Sequence, residues 1–199
     1  MGQVMIYIIR HGLTELNKRH VLQGRSDHPL NGQGIAQAKE TASRLRERGV
    51  IFDRVFSSPL IRAVQTARIV APGVSVETDD RLIEMDYGPY EGMDLNAPAP
   101  EVIAFFGDFI HNPAPRDMEP LADVVARTGA FMEEIKACRG NVLVSTHAIA
   151  MKGILEYLTP DSNGGYWSKY IGNCAVYTVA CGEDGYAAPI ELLKSGDRI

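Results

Sequence analysis

The sequence predicts an α/β protein, a three-layer sandwich in which a mostly parallel central sheet carries helices on both faces. Residues 4–9 (VMIYII) form a continuous apolar run, which is typical of a strand buried on both sides. Residues 142–145 (VLVS) are a second strand of this kind. Segments with helical spacing of apolar residues alternate with the strands, and this alternation favours parallel strands joined by helices.

The first half of the chain supplies two predicted helices. Apolar residues recur at helical spacing between positions 35 and 45, with Asn31 as the expected N-cap and Gly49 as the stop. A short strand ending at Phe56 precedes the second helix. Ser58 is the expected N-cap of that helix, and the proline after it would occupy the first helical position, where its missing N–H costs nothing.

The remaining segments complete one domain over residues 1–199. Strands are predicted near 74–78, 175–181 and 190–193, the last two around a turn at 182–185, and helices at 121–138 and 149–158. Residues 93–119 differ, because they contain four prolines, several acids and a short helical piece. We expect this segment to form a cap-like insertion.

The composition and net charge of the chain argue against several classes of function. A length of 199 residues, 45% of them apolar and 23% charged, suits a globular domain, and the net charge of −5 argues against general binding to nucleic acid or an anionic membrane. No apolar run is long enough to cross a bilayer, and no signal peptide is expected. Cys138, Cys174 and Cys181 lack CxxC spacing and are expected as reduced thiols in a cytoplasmic protein.

Three loops with reactive side chains follow predicted strands. They are Arg10-His11-Gly12, Ser57-Ser58-Pro59 and Thr146-His147-Ala148. Because the carboxyl ends of parallel strands meet at one sheet edge, we expect His11 and His147 to converge there.

Arg62 and Glu84 are candidates for the same edge. Arg62 lies in the first turn of the second helix, where its guanidinium and the free N–H groups would form an anion site. Glu84 ends an apolar piece and enters a glycine-containing loop, a position suited to a proton donor. The other histidines, at positions 20, 28 and 111, do not follow strands and are interpreted as ordinary loop or core residues.

Other catalytic classes lack their motifs. There is no HxxxH or HxH spacing for zinc, so no metal and no cofactor are expected. The GxSxG motif of serine hydrolases and the glycine-rich phosphate loop that ends in Lys-Ser or Lys-Thr are also absent. The catalytic class that remains is one in which a histidine acts as nucleophile toward phosphorus.

Five segments resemble the histidine phosphatase superfamily, the phosphoglycerate mutase-like proteins. They stand in family order between residue 4 and about residue 155: RHGLTELN, LQGRSDHPLNGQGIAQA, SSPLIRAVQTA, EMDYGPYEG and VSTHAIAMKGIL. The resemblance implies the phosphoglycerate mutase-like fold. One departure is Thr-His-Ala at positions 146–148, where the family usually has Ser-His-Gly. Ala148 keeps its backbone N–H for a phosphate contact, with strain only if the position requires a positive φ.

The resemblance also implies roles for single residues. His11 would be the nucleophile that forms a phosphohistidine, and Arg10, Arg62 and His147 would supply positive charge that keeps it neutral and stabilises the phosphoryl oxygens. Glu84 would protonate the leaving alcohol and then accept a proton from water.

Four further positions are expected to contact the phosphate or the substrate. Asn17 would add a neutral donor, Gln23 and Gly24 match positions at the substrate mouth, and Ala148 would offer its amide. Gly12 would let the backbone turn close to a phosphate.

The predicted activity is metal-independent hydrolysis of a small phosphorylated metabolite. Between residues 93 and 120 the chain has one arginine, Arg116, and five acids, which would repel a second anionic group and which differ from the adjacent arginine pair of the family's mutases. A phosphoglycerate mutase and a non-catalytic module that binds phosphorylated ligands stay open as alternatives. The sequence also leaves open whether the protein forms a homodimer.

Overall fold

The computed structural model describes residues 4–194 and confirms the α/β class. Its strands are β1 (Val4–Arg10), β2 (Arg54–Ser57), β3 (Val76–Thr78), β4 (Gly140–Thr146), β5 (Val176–Gly182), β6 (Gly185–Tyr186) and β7 (Ile190–Leu193). Its helices are α1 (Glu15–Lys18), α2 (Gly32–Glu47), α3 (Ile61–Val70), α4 (Pro100–Gly107), α5 (Leu121–Ile135) and α6 (Ala148–Leu158). None of the helices between residues 4 and 194 has the length and apolar character that a membrane crossing requires.

The strands form one sheet in the order β3-β2-β4-β1-β5-β6, and β7 pairs with β5. The pairs among β3, β2, β4 and β1 are parallel, whereas β5 runs antiparallel to β1, β6 and β7. The parallel register joins Arg10 to Thr146. The carboxyl ends of β1 and β4 therefore lie side by side, as the sequence predicts.

Both faces of the sheet are covered, which confirms the three layers. Along β1, Ile6 and Ile8 belong to one apolar cluster and Ile9 belongs to another. The first cluster includes residues of α5 and α6, and the second includes residues of α2 and α3. Because successive side chains of a strand point to opposite faces, a continuous apolar run is what this arrangement requires.

The start of α3 differs from the prediction. Asn31 caps α2 as expected, since its Oδ1 accepts from the Gly34 N–H at 2.8 Å. Ser58, however, is not the N-cap of α3, because the helix begins at Ile61. The Ile61 N–H donates instead to Asp27 Oδ1 at 2.7 Å, so a carboxylate from a distant loop takes the place of the local serine.

Residues 93–119 contribute a third apolar cluster. Within this segment, Pro100–Gly107 forms α4, and Phe105 is fully buried beside Met85 and Trp167. The predicted helix over 121–138 is shorter and ends at Ile135. The role of the 93–119 segment as a cap stays a prediction.

Gly12 and Gly34 allow the loop after β1 to lie against the start of α2. A Cβ at Gly12 would lie 2.5 Å from the Gly34 carbonyl oxygen, and a Cβ at Gly34 would lie 2.0 Å from the Leu13 carbonyl oxygen. The Gly12 N–H donates to Thr66 Oγ1 at 3.0 Å. Backbone packing thus accounts for the glycine at position 12, and the expected approach of its backbone to a phosphate stays a prediction.

Replacing Gly34 by alanine should destabilise the protein. The new methyl group has to displace backbone, so we expect Gly34→Ala to lower the free energy of unfolding by about 1–3 kcal/mol. Gly32→Ala is a matched control, because nothing lies within 4 Å of its Cβ position in the same helix. Urea denaturation should show a control that is unchanged or stabilised by up to about 1 kcal/mol. Equal effects of the two changes would contradict the packing argument.

Candidate active site

Two histidines meet at the carboxyl edge of the parallel strands. His11 follows β1, His147 follows β4, and their ring centroids lie 5.1 Å apart. The His11 N–H donates to the Thr146 carbonyl oxygen at 3.0 Å, which continues the β1–β4 ladder into the site. Both side chains are buried, with 3% of His11 and 0% of His147 exposed. The structure therefore brings the predicted pair together.

His11 is held as a neutral imidazole with one free nitrogen. Its Nδ1 lies 2.7 Å from the Gly12 carbonyl oxygen, and since a carbonyl only accepts, Nδ1 carries the hydrogen. The lone pair is then on Nε2. Burial and the nearby cations of Arg62 and Arg10 hold the pKa of His11 well below its usual value of 6.5.

Arg62 is a fully buried cation at the centre of the site. Its Nη2 donates to the Gly24 carbonyl oxygen at 2.5 Å, its Nη1 to the Ser26 carbonyl oxygen at 2.8 Å and its Nε to His147 Nδ1 at 3.2 Å. Burial lowers the pKa of Arg62 to about 10, so the group is charged at neutral pH. A guanidinium has five N–H groups, and these three bonds leave two for an anion.

His147 is neutral in this arrangement. Its Nδ1 accepts from Arg62, so Nε2 carries the hydrogen and donates to Ser58 Oγ at 2.8 Å. Burial, followed by the charge of Arg62, lowers the pKa of His147 well below 6.5. The expectation that His147 supplies a positive charge is therefore wrong, and the charge beside His11 comes from Arg10 and Arg62.

Glu84 lies at the amino end of α6, next to the histidines. Its Oε1 accepts from the Met85 and Ala150 N–H groups at 2.9 and 3.0 Å, and its Oε2 accepts from the Ile149 N–H at 3.2 Å. Only 3% of the residue is exposed. Each carboxyl oxygen has two lone pairs. Oε1 is therefore saturated, and Oε2 keeps one position at which a proton can bind.

Arg10 and Gln23 hold buried donors that are unpaired among the described residues. Arg10 Nη1 donates to the Ile171 carbonyl oxygen at 2.5 Å, but Arg10 Nε has no partner. Gln23 Oε1 accepts from Thr14 Oγ1 at 2.7 Å, and Gln23 Nε2 has no partner. A buried donor without a partner costs free energy, so these two atoms are candidates for binding a ligand oxygen.

Gly24 and Asn17 are placed mainly by structural hydrogen bonds. The Gly24 N–H donates to Glu91 Oε1 at 2.9 Å, so this amide is already engaged. Asn17 forms a capping box with Thr14 at the start of α1, in which the Thr14 N–H donates to Asn17 Oδ1 at 3.4 Å. Ala148 is the first residue of α6 and has no positive φ, so an alanine there causes no strain.

Glu91 shapes the site and was missed by the sequence interpretation. Its carboxylate accepts from the N–H groups of Gly24, Arg25 and Ser26 and from Ser26 Oγ, the last at 2.6 Å. It thereby fixes the loop whose carbonyl oxygens hold Arg62. Its position in the EMDYGPYEG segment was the available signal.

No group of three His, Cys, Asp or Glu side chains that could hold a metal ion occurs within residues 4–194.

Comparisons with known proteins identify the family of this chain. Residues 6–189 match the model of the histidine phosphatase superfamily (branch 1). A 2,3-bisphosphoglycerate-dependent phosphoglycerate mutase of Nitrobacter winogradskyi is 32% identical over 180 residues, which cover 81% of this chain and 85% of the relative.

Two solved structures have similar folds. One is a mycobacterial glucosyl-3-phosphoglycerate phosphatase in complex with VO3, with a TM-score of 0.76 and 26% identity, covering 88% of this chain and 92% of that chain. The other is an Entamoeba histolytica phosphoserine phosphatase mutant with bound phosphoserine, with a TM-score of 0.79 and 23% identity, covering 97% of both chains. Since the family match spans almost the whole chain, including every residue of the candidate site, this protein belongs to the histidine phosphatase superfamily.

Proposed function

We propose that this protein hydrolyses a small phosphomonoester through a phosphohistidine formed at His11 Nε2. The observation that carries this proposal is the fixed tautomer of His11. Its Nδ1–H is bonded to the Gly12 carbonyl oxygen, and the neutral Nε2 lies in a buried site with two arginines. A neutral imidazole beside cations is a competent nucleophile toward a phosphate dianion.

The proposed reaction has two in-line transfers. His11 Nε2 attacks phosphorus, the bond to the leaving oxygen breaks, and that oxygen takes a proton from Glu84 Oε2. A water molecule then attacks the phosphohistidine, gives its proton to Glu84 and releases inorganic phosphate, which restores neutral His11. Arg62 and Arg10 stabilise the negative charge on the phosphoryl oxygens in both steps, so the route uses no metal ion.

We favour hydrolysis of the phosphomonoester over transfer of the phosphoryl group between two positions of the substrate. The 93–119 segment has the single arginine Arg116 and no adjacent pair of arginines. The relative from Nitrobacter winogradskyi, which is a mutase by name, keeps phosphoglycerate mutase as the second candidate. Incubation with 3-phosphoglycerate and 2,3-bisphosphoglycerate separates the two, because isomerisation faster than phosphate release would favour the mutase.

Replacing His11 should abolish turnover. We expect His11→Ala to lower kcat for p-nitrophenyl phosphate by roughly a thousandfold or more, because the nucleophile is lost. Rapid-quench labelling should detect a phosphoenzyme in the wild type and none in the variant. His20→Asn is the control, since His20 is exposed and asparagine tolerates its φ of 55°.

Two further measurements test the same route. Vanadate should inhibit the wild type, and EDTA should leave its rate unchanged. Retained turnover in His11→Ala would refute the phosphohistidine mechanism.

The two buried histidines should make stability depend on pH. The pKa values of His11 and His147 are below 6.5 in the folded state, so under mildly acidic conditions the unfolded chain binds protons that the folded chain does not. The free energy of unfolding should then fall as pH drops below about 6.5, by about 1.4 kcal/mol per pH unit for each histidine that stays neutral.

Urea unfolding at about pH 7.5 and about pH 5.5 measures this slope while most carboxylates stay ionised. His11→Gln should show about half of the wild-type slope, because one of the two histidines is removed. A wild-type stability that is the same at both pH values would contradict the assignment of neutral, buried histidines.

A further inference from the structure

Lys152 is a buried cation that the proposed reaction does not use. It lies in α6 and is 8% exposed. Its Nζ donates to the Trp167 carbonyl oxygen at 2.7 Å and lies 4.9 Å from the centroid of the Phe109 ring. Among the described residues its ammonium group forms no ion pair, so its observed partners carry no formal charge. Burying a charge is unfavourable unless an opposite charge compensates it.

Carboxylates in this region are engaged elsewhere. Glu156, one turn further along α6, accepts from Ser162 Oγ and from the Tyr166 N–H, both at 2.6 Å. Burial, and then the charge of Arg10, lowers the pKa of Lys152 to about 8, which still leaves the amine mostly protonated at neutral pH. The site thus holds a positive charge that no carboxylate of the described residues contacts directly, although Glu84 and Glu156 attract it from a distance.

Lys152 lines a cavity of about 400 Å³ with aromatic walls. Phe106, Phe109, Trp167 and Tyr170 form much of its surface. Its other charged groups are Lys169 and Asp108, and the Asp108 carboxylate accepts from His111 Nδ1 at 2.7 Å and from two backbone N–H groups. Positive charge therefore predominates in the cavity.

The cavity is close to the candidate phosphate site. Tyr170 on its wall precedes Ile171, whose carbonyl oxygen accepts from Arg10. Lys152 is four residues beyond Ala148, which is about 6 Å along a helix axis, and its side chain leans back toward the amino end of α6. Lys152 also lies within electrostatic range of Arg10 and Glu84, two residues of the candidate site.

We propose that this cavity binds a carboxylate of the phosphorylated substrate, with Lys152 as its counterion and specificity-determining residue. This inference rests on the proposed function and refines its substrate class. Of the acids in residues 93–119, Asp108 is the one that lines the cavity, and its carboxylate accepts from His111 Nδ1. Glu119 forms an ion pair with Arg127.

The test compares 3-phosphoglycerate with glycerol 3-phosphate, two esters that differ in the presence of the carboxylate. The wild type should favour 3-phosphoglycerate by roughly ten- to a hundredfold in kcat/KM for phosphate release, the range expected for a charge-assisted hydrogen bond. Lys152→Met should reduce this ratio to within about threefold of one, mainly through KM, and Lys152→Arg should retain part of it. Lys39→Met, at an exposed position of α2, should keep the wild-type ratio.

Calorimetry on the His11→Ala protein separates this inference from the proposed function. In that background, 3-phosphoglycerate should bind at least about tenfold more weakly when Lys152→Met is added. If neither ester is hydrolysed by the wild type but this difference in binding is found, the hydrolase proposal fails and the carboxylate site stands. If both esters are hydrolysed at a ratio that Lys152→Met does not change, the carboxylate site is refuted and the hydrolase stands. An equal loss of kcat for both esters, with a lowered Tm, would also refute it by showing a structural role.

Discussion

The fully buried guanidinium of Arg62 is the interaction on which the site depends. An arginine with no exposed surface needs acceptors for its N–H groups, and here they are the carbonyl oxygens of Gly24 and Ser26 and the Nδ1 of His147. These acceptors come from a loop and from the end of β4, while Arg62 itself lies on α3. Because losing a partner of a buried charge costs several kcal/mol, the three elements are held in one arrangement.

The same charge, together with burial, keeps both histidines neutral. His147 has to offer a lone pair to Arg62, so it stays neutral and its remaining N–H goes to Ser58. Burial, and then the charge of Arg62, lowers the pKa of His11. The loop that binds Arg62 through its carbonyl oxygens is bound on its N–H groups by Glu91, so a cation and an anion fix opposite polar groups of the same short segment. The neutral nucleophile His11, the orientation of His147 and the positive charge of Arg62 therefore depend on one hydrogen-bond network.

Sequence patterns predicted the parts of this network that follow from strand geometry. His11 and His147 come directly after buried strands, and parallel strands bring such positions to one edge. Contacts between loops were not predictable from local rules. Ser58 has the pattern of a helix cap, yet it bonds to His147, and Asp27 caps α3 from 34 positions away. The sequence predicts that Gly12 lies close to a phosphate. Its packing against α2 can be recognised only once the backbone positions are known.

The balance of buried charges connects the candidate phosphate site with the cavity at Lys152. Among the described residues, the buried charged side chains are Arg62, Lys152 and Glu84, and the partly buried Arg10 adds a third cation. Asp27 and Glu91 attract Arg62 whether or not Glu84 is charged. When Glu84 carries the proton that the leaving oxygen requires, Lys152 loses part of the attraction that it receives from carboxylates. A phosphorylated acid would then supply an opposite charge to Lys152, whereas a phosphate ester without a second anionic group would leave this ammonium without a contacting counterion in a buried cavity.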